Sequence, residues 1–438
     1  MQTYDVVIVG GRPAGASLAL RLGAAGVRVL IVDQASFPSR PAVSAAFVLP
    51  HTLELLDELD LDERAYAAAT PKLRRFMLEF ARYFRTELHF DEPIAGRSYC
   101  YAIDRAKLDA CLWHALDRCP TVTAQSGTRF AGVKLAHAGA LHEVRLVHER
   151  QDLTVRARAL VGADGRYSPV AQAVAAPVLV NRTDVETSLY YAHWRGVADY
   201  APGVTDAAHI HASCDGFSFV FMPSADGETM VVAQGRSDRY LAQTGTPQEV
   251  YNRLLQARPL VQRRLRDATQ VSPLSGIKHM GNKFRQAYGP GWVLVGDAYH
   301  QKDSLDAQGI YDALLGAKLL AGALVDWQNG QAWEAALAGY ESRVWAALKP
   351  MFDATMERVK REIYNVPPPV VARTVLRYVL THPAYARRFA SVVTRKLAPD
   401  ALLPPQVLLK LAAEGALRRG RQRLLRRDQP DPTDALRI

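Results

Sequence analysis

Little in this chain points to an extracellular or metal-holding protein. Of 438 residues only four are cysteine, Cys100, Cys111, Cys119 and Cys214, and none stand in CxxC or other metal-ligand spacing. A disulfide scaffold and a cysteine metal centre are excluded on that count, and the expectation is a reduced, metal-free, cytoplasmic protein. No run of 18 uncharged apolar residues occurs, so no membrane span is expected. The first apolar strand begins within five residues of Met1, which leaves no room for a secretory signal. Charge is scarce in a different sense. Of the formal net +10, +9 falls between Val366 and Ile438, where 14 Arg and Lys face 5 Asp and Glu. The rest of the chain is close to neutral, and the basic excess belongs to a tail.

That tail is densest from Arg418 to Arg427 (RRGRQRLLRR) and has no interleaved aromatics for base stacking, so sequence-specific nucleic-acid binding is not expected. It reads as a solvated helix end, with an anionic membrane surface or an acidic partner as the functional alternatives. What the chain does have is core. At 49% hydrophobic residues it can build one large or two intimate domains.

The stretch Asp5 to Asp33, DVVIVGGRPAGASLALRLGAAGVRVLIVD, spells a strand, a Gly-rich turn, a helix and a second strand. Apolar β-branched residues mark strands buried on both faces, small residues from Ala14 let the helix lie close on the sheet, and Gly26 closes it. Asp33 ends the second strand, where a carboxylate accepts from the ribose hydroxyls of a dinucleotide, and the amides of Ala14 and Gly15 open a helix toward the pyrophosphate. Aligned on GxGxxG, the turn reads Gly10, Gly11, Arg12, Pro13, Ala14, Gly15. Arg12 replaces the second glycine, so either the phosphates sit further out with the guanidinium adding charge, or the dinucleotide is held differently.

A second signature follows Val155 to Val161, where a strand ends in Gly162, Ala163, Asp164, Gly165. The alternative for Asp164 is a helix cap, since Ser168 and Pro169 signal a helix start. The third is GWVLV, Gly291 to Val295, followed by GDAYHQKDSLDAQGIYDALLGAKLL. A buried strand ends at Gly296 and Asp297, and Gln308-Gly309 opens an Ala/Leu-rich helix whose amides can stabilise negative charge.

Between these lie other elements. Ile103 to Leu116 is helical with Leu108, Leu112 and Leu116 inward, leaving Arg105 at its start free to reach an anionic cofactor, with a surface ion pair as the alternative. Leu73 to Phe90 and Ser188 to Gly235 alternate as antiparallel strands, with a hairpin turn at Ala225 to Gly227. In that sheet Tyr190, Tyr191, His193, Trp194, Arg195, Phe217, Phe219 and Phe221 alternate, so about half should face a substrate cavity and half should pack. Pro247 to Arg266 reads as helix, broken at Pro259 and solvent-facing. After Ala323 the chain is helical, first up to Pro367 and then as a separate Pro-interrupted tail.

Together the three signatures resemble the FAD-binding fold of the para-hydroxybenzoate-hydroxylase superfamily: aromatic monooxygenases, geranylgeranyl-reductase-like enzymes and flavin-dependent halogenases. The resemblance covers residues 3 to 345, and Asp297 to Gln308-Gly309 matches the spacing of the family loop GDAxHxxxPxxGQG. Ser304 replaces its proline and Ala307 the first glycine of GQG. The resemblance implies an α/β fold: a Rossmann-like FAD-binding domain (1–71, 102–180, 286–330), an inserted antiparallel-sheet substrate domain (72–101, 181–285) and a helical C-terminal region (331–438). It implies that Gly10, Gly15 and Asp33 hold the ADP half of FAD, with Gly11, Arg12 and Ala14 of the same turn as further cofactor-binding candidates. Arg105, Asp164-Gly165, Gly296-Asp297 and Gln308-Gly309 would complete the cofactor contacts. Ser44, Ala45, Ala46 and His51, downstream of the second strand, lie where a chain can approach a bound flavin, with a surface loop and a helix cap as the alternative.

No second Gly-rich βαβ unit is present for a resident NAD(P)H domain. In the monooxygenases of this superfamily NAD(P)H binds transiently, reduces the flavin and leaves, and oxygen then forms a C4a-hydroperoxide; the cofactor carries the chemistry and the protein orients and excludes water. The halogenase segment WxWxIP has GFSFVFMP as its nearest counterpart, without either tryptophan. The expectation is therefore an FAD-dependent monooxygenase of an aromatic or polycyclic small molecule. A reductase of carbon–carbon bonds, and a non-turnover flavoprotein binding a partner through the basic tail, are the alternatives. His300, Tyr191, His193 and Arg195 are the candidates for substrate or proton handling.

Overall fold

The structure, a computed structural model, describes residues 1–41, 43–44, 47–90, 92–136, 140–425, 431 and 433–434. One sheet runs in the order Tyr288–Gly289, Trp292–Leu294, Gln151–Gly162, Thr3–Val9, Val29–Val32, Val122–Gln125. Its neighbours from Trp292–Leu294 to Val122–Gln125 are parallel. Strands of such a sheet are covered on both faces, and Val6, Val7, Ile8, Ile31 and Val32 are fully buried. The helix Pro13–Ala24 lies between this sheet and the helix Gly309–Gln328, and Trp333–Val359 packs beyond.

The second sheet runs Thr269–Gln270, Thr187–Arg195, Thr229–Arg236, Phe217–Pro223, Ala207–Ala212, Arg75–Phe80, Phe84–His89. The expected antiparallel pattern has one exception, since Arg75–Phe80 pairs in parallel with Ala207–Ala212 after a long excursion of the chain. Register sorts the side chains. Tyr191, Val232, Val220, Ile210 and Leu78 lie across from one another on one face, and Tyr190, Ala233, Phe219, His211 and Glu79 on the other.

That second face is covered by the helices Pro247–Gln256 and Pro259–Leu265. Tyr251 and Val261 are fully buried there against Phe219 and Phe221. The solvent-facing reading of this stretch is thus corrected: Arg253 and Arg266 lie outward, but Arg264 is buried over Phe221, and every third or fourth residue is apolar and covers the sheet.

The chain then returns over the opposite face. Pro383–Val393 and Pro405–Leu425 join through a small cluster of Val379, Tyr385 and Leu411. Arg418 donates to the Thr381 carbonyl (2.8 Å) and Arg419 pairs with Asp431 (2.8 Å), so these two arginines of the basic run are tied into the tail. Arg426 and Arg427 lie outside the described residues. Among the described residues no helix is long and apolar enough to cross a membrane.

Candidate functional site

The three glycine-acid turns meet. A Cβ on Gly10 would lie 2.3 Å from the Ala163 carbonyl, a Cβ on Gly15 1.8 Å from that of Gly10, and a Cβ on Gly296 2.9 Å from Ala14. Gly10 and Gly296 also have φ of +104° and +64°, which L side chains avoid. Backbone of the first turn therefore touches both the second and the third, because none of these positions carries a side chain.

Around this junction the polar groups are held in fixed orientations. Gly11 donates its amide to Asp33 Oδ2 (2.7 Å), and Ala35 donates to Oδ1 (2.8 Å). Gly11 also makes room for Trp113, whose ring would be 2.2 Å from a Cβ there and which stacks on Phe37 at 4.7 Å.

Arg105 is ion-paired within its own helix. It pairs with Asp109 one turn along its own helix (2.9 Å) and donates to Ser44 Oγ (2.5 Å). Arg12 reaches the same Asp109 (2.5 Å) and also Ser39. Asp109 is fully buried, so two guanidiniums share one carboxylate, leaving one unit of positive charge beside the Gly-rich turn and the start of Pro13–Ala24.

The other acids are engaged. Asp164 accepts from Ser168 Oγ (2.6 Å) and the Val170 amide (2.8 Å), bracing the start of the helix Pro169–Ala173, whose N-cap is Ser168; burial pushes the Asp164 pKa up, and those hydrogen bonds oppose the rise. Asp297 pairs with Arg166 (3.3 Å). Gly309 opens a helix of 20 residues that has no side-chain cap, with nothing within 4 Å of where its Cβ would be. Just before it, Ala307 adopts the left-handed conformation (φ +54°), which a glycine would take at less cost, and Ser304 Oγ is buried without a partner among the described residues. The Gln308 side chain donates to the Val393 carbonyl (2.7 Å) and accepts from Arg395 (2.7 Å).

Ser304, Asp306 and Ala307 form one end of a cavity of about 610 Å³. Leu189, Tyr191, Val220, Met222 and Val232 of the second sheet line it, and Val375, Tyr385, Phe389 and Val393 of the tail close it. The tail is fastened at that point. Arg395 donates to Asp312 (2.9 Å), and Asp312 with Asp306 pairs with the buried Lys302 at 2.5 and 2.9 Å.

Of the four candidates for proton or substrate handling, only Tyr191 lines the cavity, and burial raises its pKa. His193 is buried beside Glu228 (3.3 Å), with its pKa lowered by burial and by Arg40. Arg195, with a largely exposed side chain, pairs with the same carboxylate (3.2 Å). His300 is enclosed by Phe284 and Phe352, and burial keeps it neutral. These three occupy packing and ion-pair positions away from the cavity lining. Phe217, Phe219 and Phe221 all face away from the cavity, because residues two apart on a strand share a face. Ala45 and Ala46 lie outside the described residues. His51 is buried against Tyr311 (4.3 Å), and its pKa is pushed down to about 3, chiefly by burial.

Sequence reasoning missed Asp109, Trp113 and Arg395. Asp109 had a signal, four residues after Arg105 on one helix; Arg395 had none. It also missed a buried network on the far side of the sheet from the cavity. There Glu79 accepts from His209 (3.0 Å) and Tyr200 (3.3 Å), with His211 at 3.6 Å. Burial favours the neutral acid, but the two histidines more than offset it and hold the carboxyl at about 2. Burial lowers His209 to about 4, and Arg264 lies 3.3 Å from its other nitrogen. Glu79, His209 and His211 have metal-ligand composition, but with a guanidinium already beside His209 they form an ion-paired hydrogen-bond network.

Comparison with known proteins completes the description. Residues 3–355 match the family described as FAD binding domain. The chain is 22% identical over 377 residues to a 1H-pyrrole-2-carbonyl-[peptidyl-carrier protein] chlorinase of Pseudomonas fluorescens, covering 80% of this chain and 82% of that one. It is 25% identical over 344 residues to a digeranylgeranylglycerophospholipid reductase of Methanosphaerula palustris, covering 78% and 81%. A 6-methylpretetramide 4-monooxygenase of Streptomyces rimosus is 33% identical over 178 residues, 40% of this chain and 41% of that one. Among solved structures, the flavin-dependent brominase Bmp2 superposes with a TM-score of 0.76 at 16% identity, covering 98% of this chain and all of the other.

Proposed function

This chain belongs to the FAD binding domain family and is an FAD-dependent oxidoreductase, and from that premise we propose that it is a monooxygenase. Its substrate is an apolar aromatic or polycyclic small molecule held in the cavity, with NAD(P)H as transient reductant and O₂ as co-substrate. The observation that carries the reading is the cavity itself: about 610 Å³, walled by aliphatic and aromatic side chains, and ending on the turn Ser304–Ala307. An apolar pocket of that size takes a multi-ring molecule and keeps water from a reactive centre.

The residues fit FAD. Gly10, Gly11, Ala14, Gly15 and Asp33 are assigned to the ADP half, with Arg12 and Arg105 beside its phosphates. Gly165, Gly296 and Asp297 are assigned to the ribityl region and the open amides at Gly309 to the flavin ring, with the orphaned Ser304 Oγ as a hydrogen-bond partner near it. When bound, FAD supplies hydride acceptance and oxygen activation. The chain binds, orients and excludes water: Tyr191, protonated at neutral pH, offers a donor inside the cavity, and the tail closes over it. The domain boundaries expected from sequence are retained in this reading, the parallel sheet serving the cofactor and the second sheet with the tail serving the substrate.

A second reading is halogenation, favoured by a fold likeness to the brominase that extends over 98% of the chain, tail included. The experiment is to load the protein with FAD, supply NAD(P)H and a panel of polycyclic phenols under ¹⁸O₂, with and without bromide, and analyse products by mass spectrometry. One ¹⁸O atom in the product supports oxygenation, bromide-dependent product bromination supports the second reading, and product reduction without oxygen uptake sinks both.

A further inference from the structure

The helix Pro405–Leu425 is inside out. Residues turned to the protein include Val407, Leu411 and Gly415, the last so close that a Cβ would lie 2.6 Å from the Tyr378 carbonyl. On the opposite side, spaced for one helical face, stand Leu409, Ala413, Ala416, Leu417, Gly420 and Leu424, an unbroken uncharged stripe facing solvent. Leu409, Leu417 and Leu424 are 71%, 69% and 73% exposed. Lys410 and Arg421 flank the stripe on one edge, and Glu414, on the same edge, pairs with His382 (3.3 Å) and with Lys410 (3.9 Å).

On the segment before Tyr378, Val366, Val370, Val371 and Val375 are also exposed. Val371, Val375 and Leu408 are at once exposed and part of the cavity lining, so these three form an outer rim of the cavity, and Leu408 adjoins Leu409, the first residue of the stripe. The surrounding tail holds +9 of the net charge.

We propose that this face is seated on an anionic lipid surface, with the cavity rim turned toward the acyl layer, so that an apolar substrate passes from lipid to cavity without crossing water. The charge pattern selects that occupant. Leucine and alanine flanked by cations suit an interface of hydrocarbon below and phosphate above. A second copy meeting stripe to stripe would bring Lys410 and Arg421 of both copies together. The proposal concerns the tail and stands apart from the reaction class.

The test floats FAD-loaded protein with vesicles of phosphatidylcholine alone or with added phosphatidylglycerol. Flotation with the anionic vesicles is expected, weakening as salt rises from about 0.1 M to about 1 M. The triple variant Leu409→Glu, Leu417→Glu, Leu424→Glu alters only solvent-facing positions and should keep its flavin and thermal transition while losing flotation by about tenfold or more. The pair Lys410→Gln and Arg421→Gln should lose flotation at lower salt than the parent. Absence of flotation in the parent, equal flotation of the triple variant, or a dimer that the triple variant converts to monomer would overturn the proposal, the last in favour of a second copy.

Discussion

The two sheets solve different problems, and the contrast explains which parts of the molecule a sequence can announce. In the parallel sheet, the proposed cofactor site rests on backbone: three turns approach one another because Gly10, Gly15 and Gly296 lack side chains, and the polar groups nearby are amides and helix ends. In the second sheet, function rests on side chains whose direction is set by register. A slip of one residue would turn Tyr191, Val220 and Val232 out of the cavity and bring in Tyr190, Phe219 and Ala233. The first sheet tolerates little substitution at few positions; the second can be re-lined without losing its architecture.

The largest expected blow to this contrast comes from the first half. Asp109→Ala leaves two cations at one buried site and should cost about 3–5 kcal/mol together with FAD uptake, read by denaturant melts and flavin absorbance. Acid sharpens the contrast from the second half. His209, held neutral in the fold with a pKa of about 4, is ordinarily protonated near 6.5, so the unfolded chain binds the extra proton first. Stability is fully present above pH 6.5 and is lost as pH falls toward 4, by up to about 1.4 kcal/mol per unit; Glu79 continues the loss from 4.5 toward 2. A flat transition temperature between pH 6.5 and 4.5 would contradict this arrangement.

Gly10→Ala is expected to cost about 2 kcal/mol from the positive φ and more from the Ala163 carbonyl, and to abolish flavin binding, whereas Val220→Ala, at the cavity wall, should keep flavin and shift KM. Equal flavin loss in both would break the division between the halves. Arg395→Met removes the tail's hold on Gln308 and Asp312; about 1–2 kcal/mol and faster limited proteolysis beyond residue 366 are expected. Arg195→Ala should change stability by less than about 0.5 kcal/mol and leave turnover intact, since its pair with Glu228 is at the surface.

Much of the first half is legible in the order of its amino acids. Asp33 and the Gly10 turn stand out because close backbone approach demands glycine, and Gly309 because a helix start after a buried strand is written locally. Arg105 is legible as a residue of interest but not as the partner of Arg12, since the shared Asp109 is a matter of where two distant segments meet. In the second half the alternation of Tyr190 through Arg195 is plain while its facing is not. His193, Arg195 and His300 carry suitable chemistry in the wrong place.

Sequence alone determined the nucleotide-binding half, because a glycine's missing side chain and a strand's apolar run act within a few residues of chain. Tertiary structure alone decided which wall faces the cavity, that the tail closes it, and that a stripe of leucines was left outside. Those outcomes depend on strand register and on contacts such as Arg395 with Gln308, 87 residues apart, where the local sequence is compatible with several partners and only the packed whole chooses one.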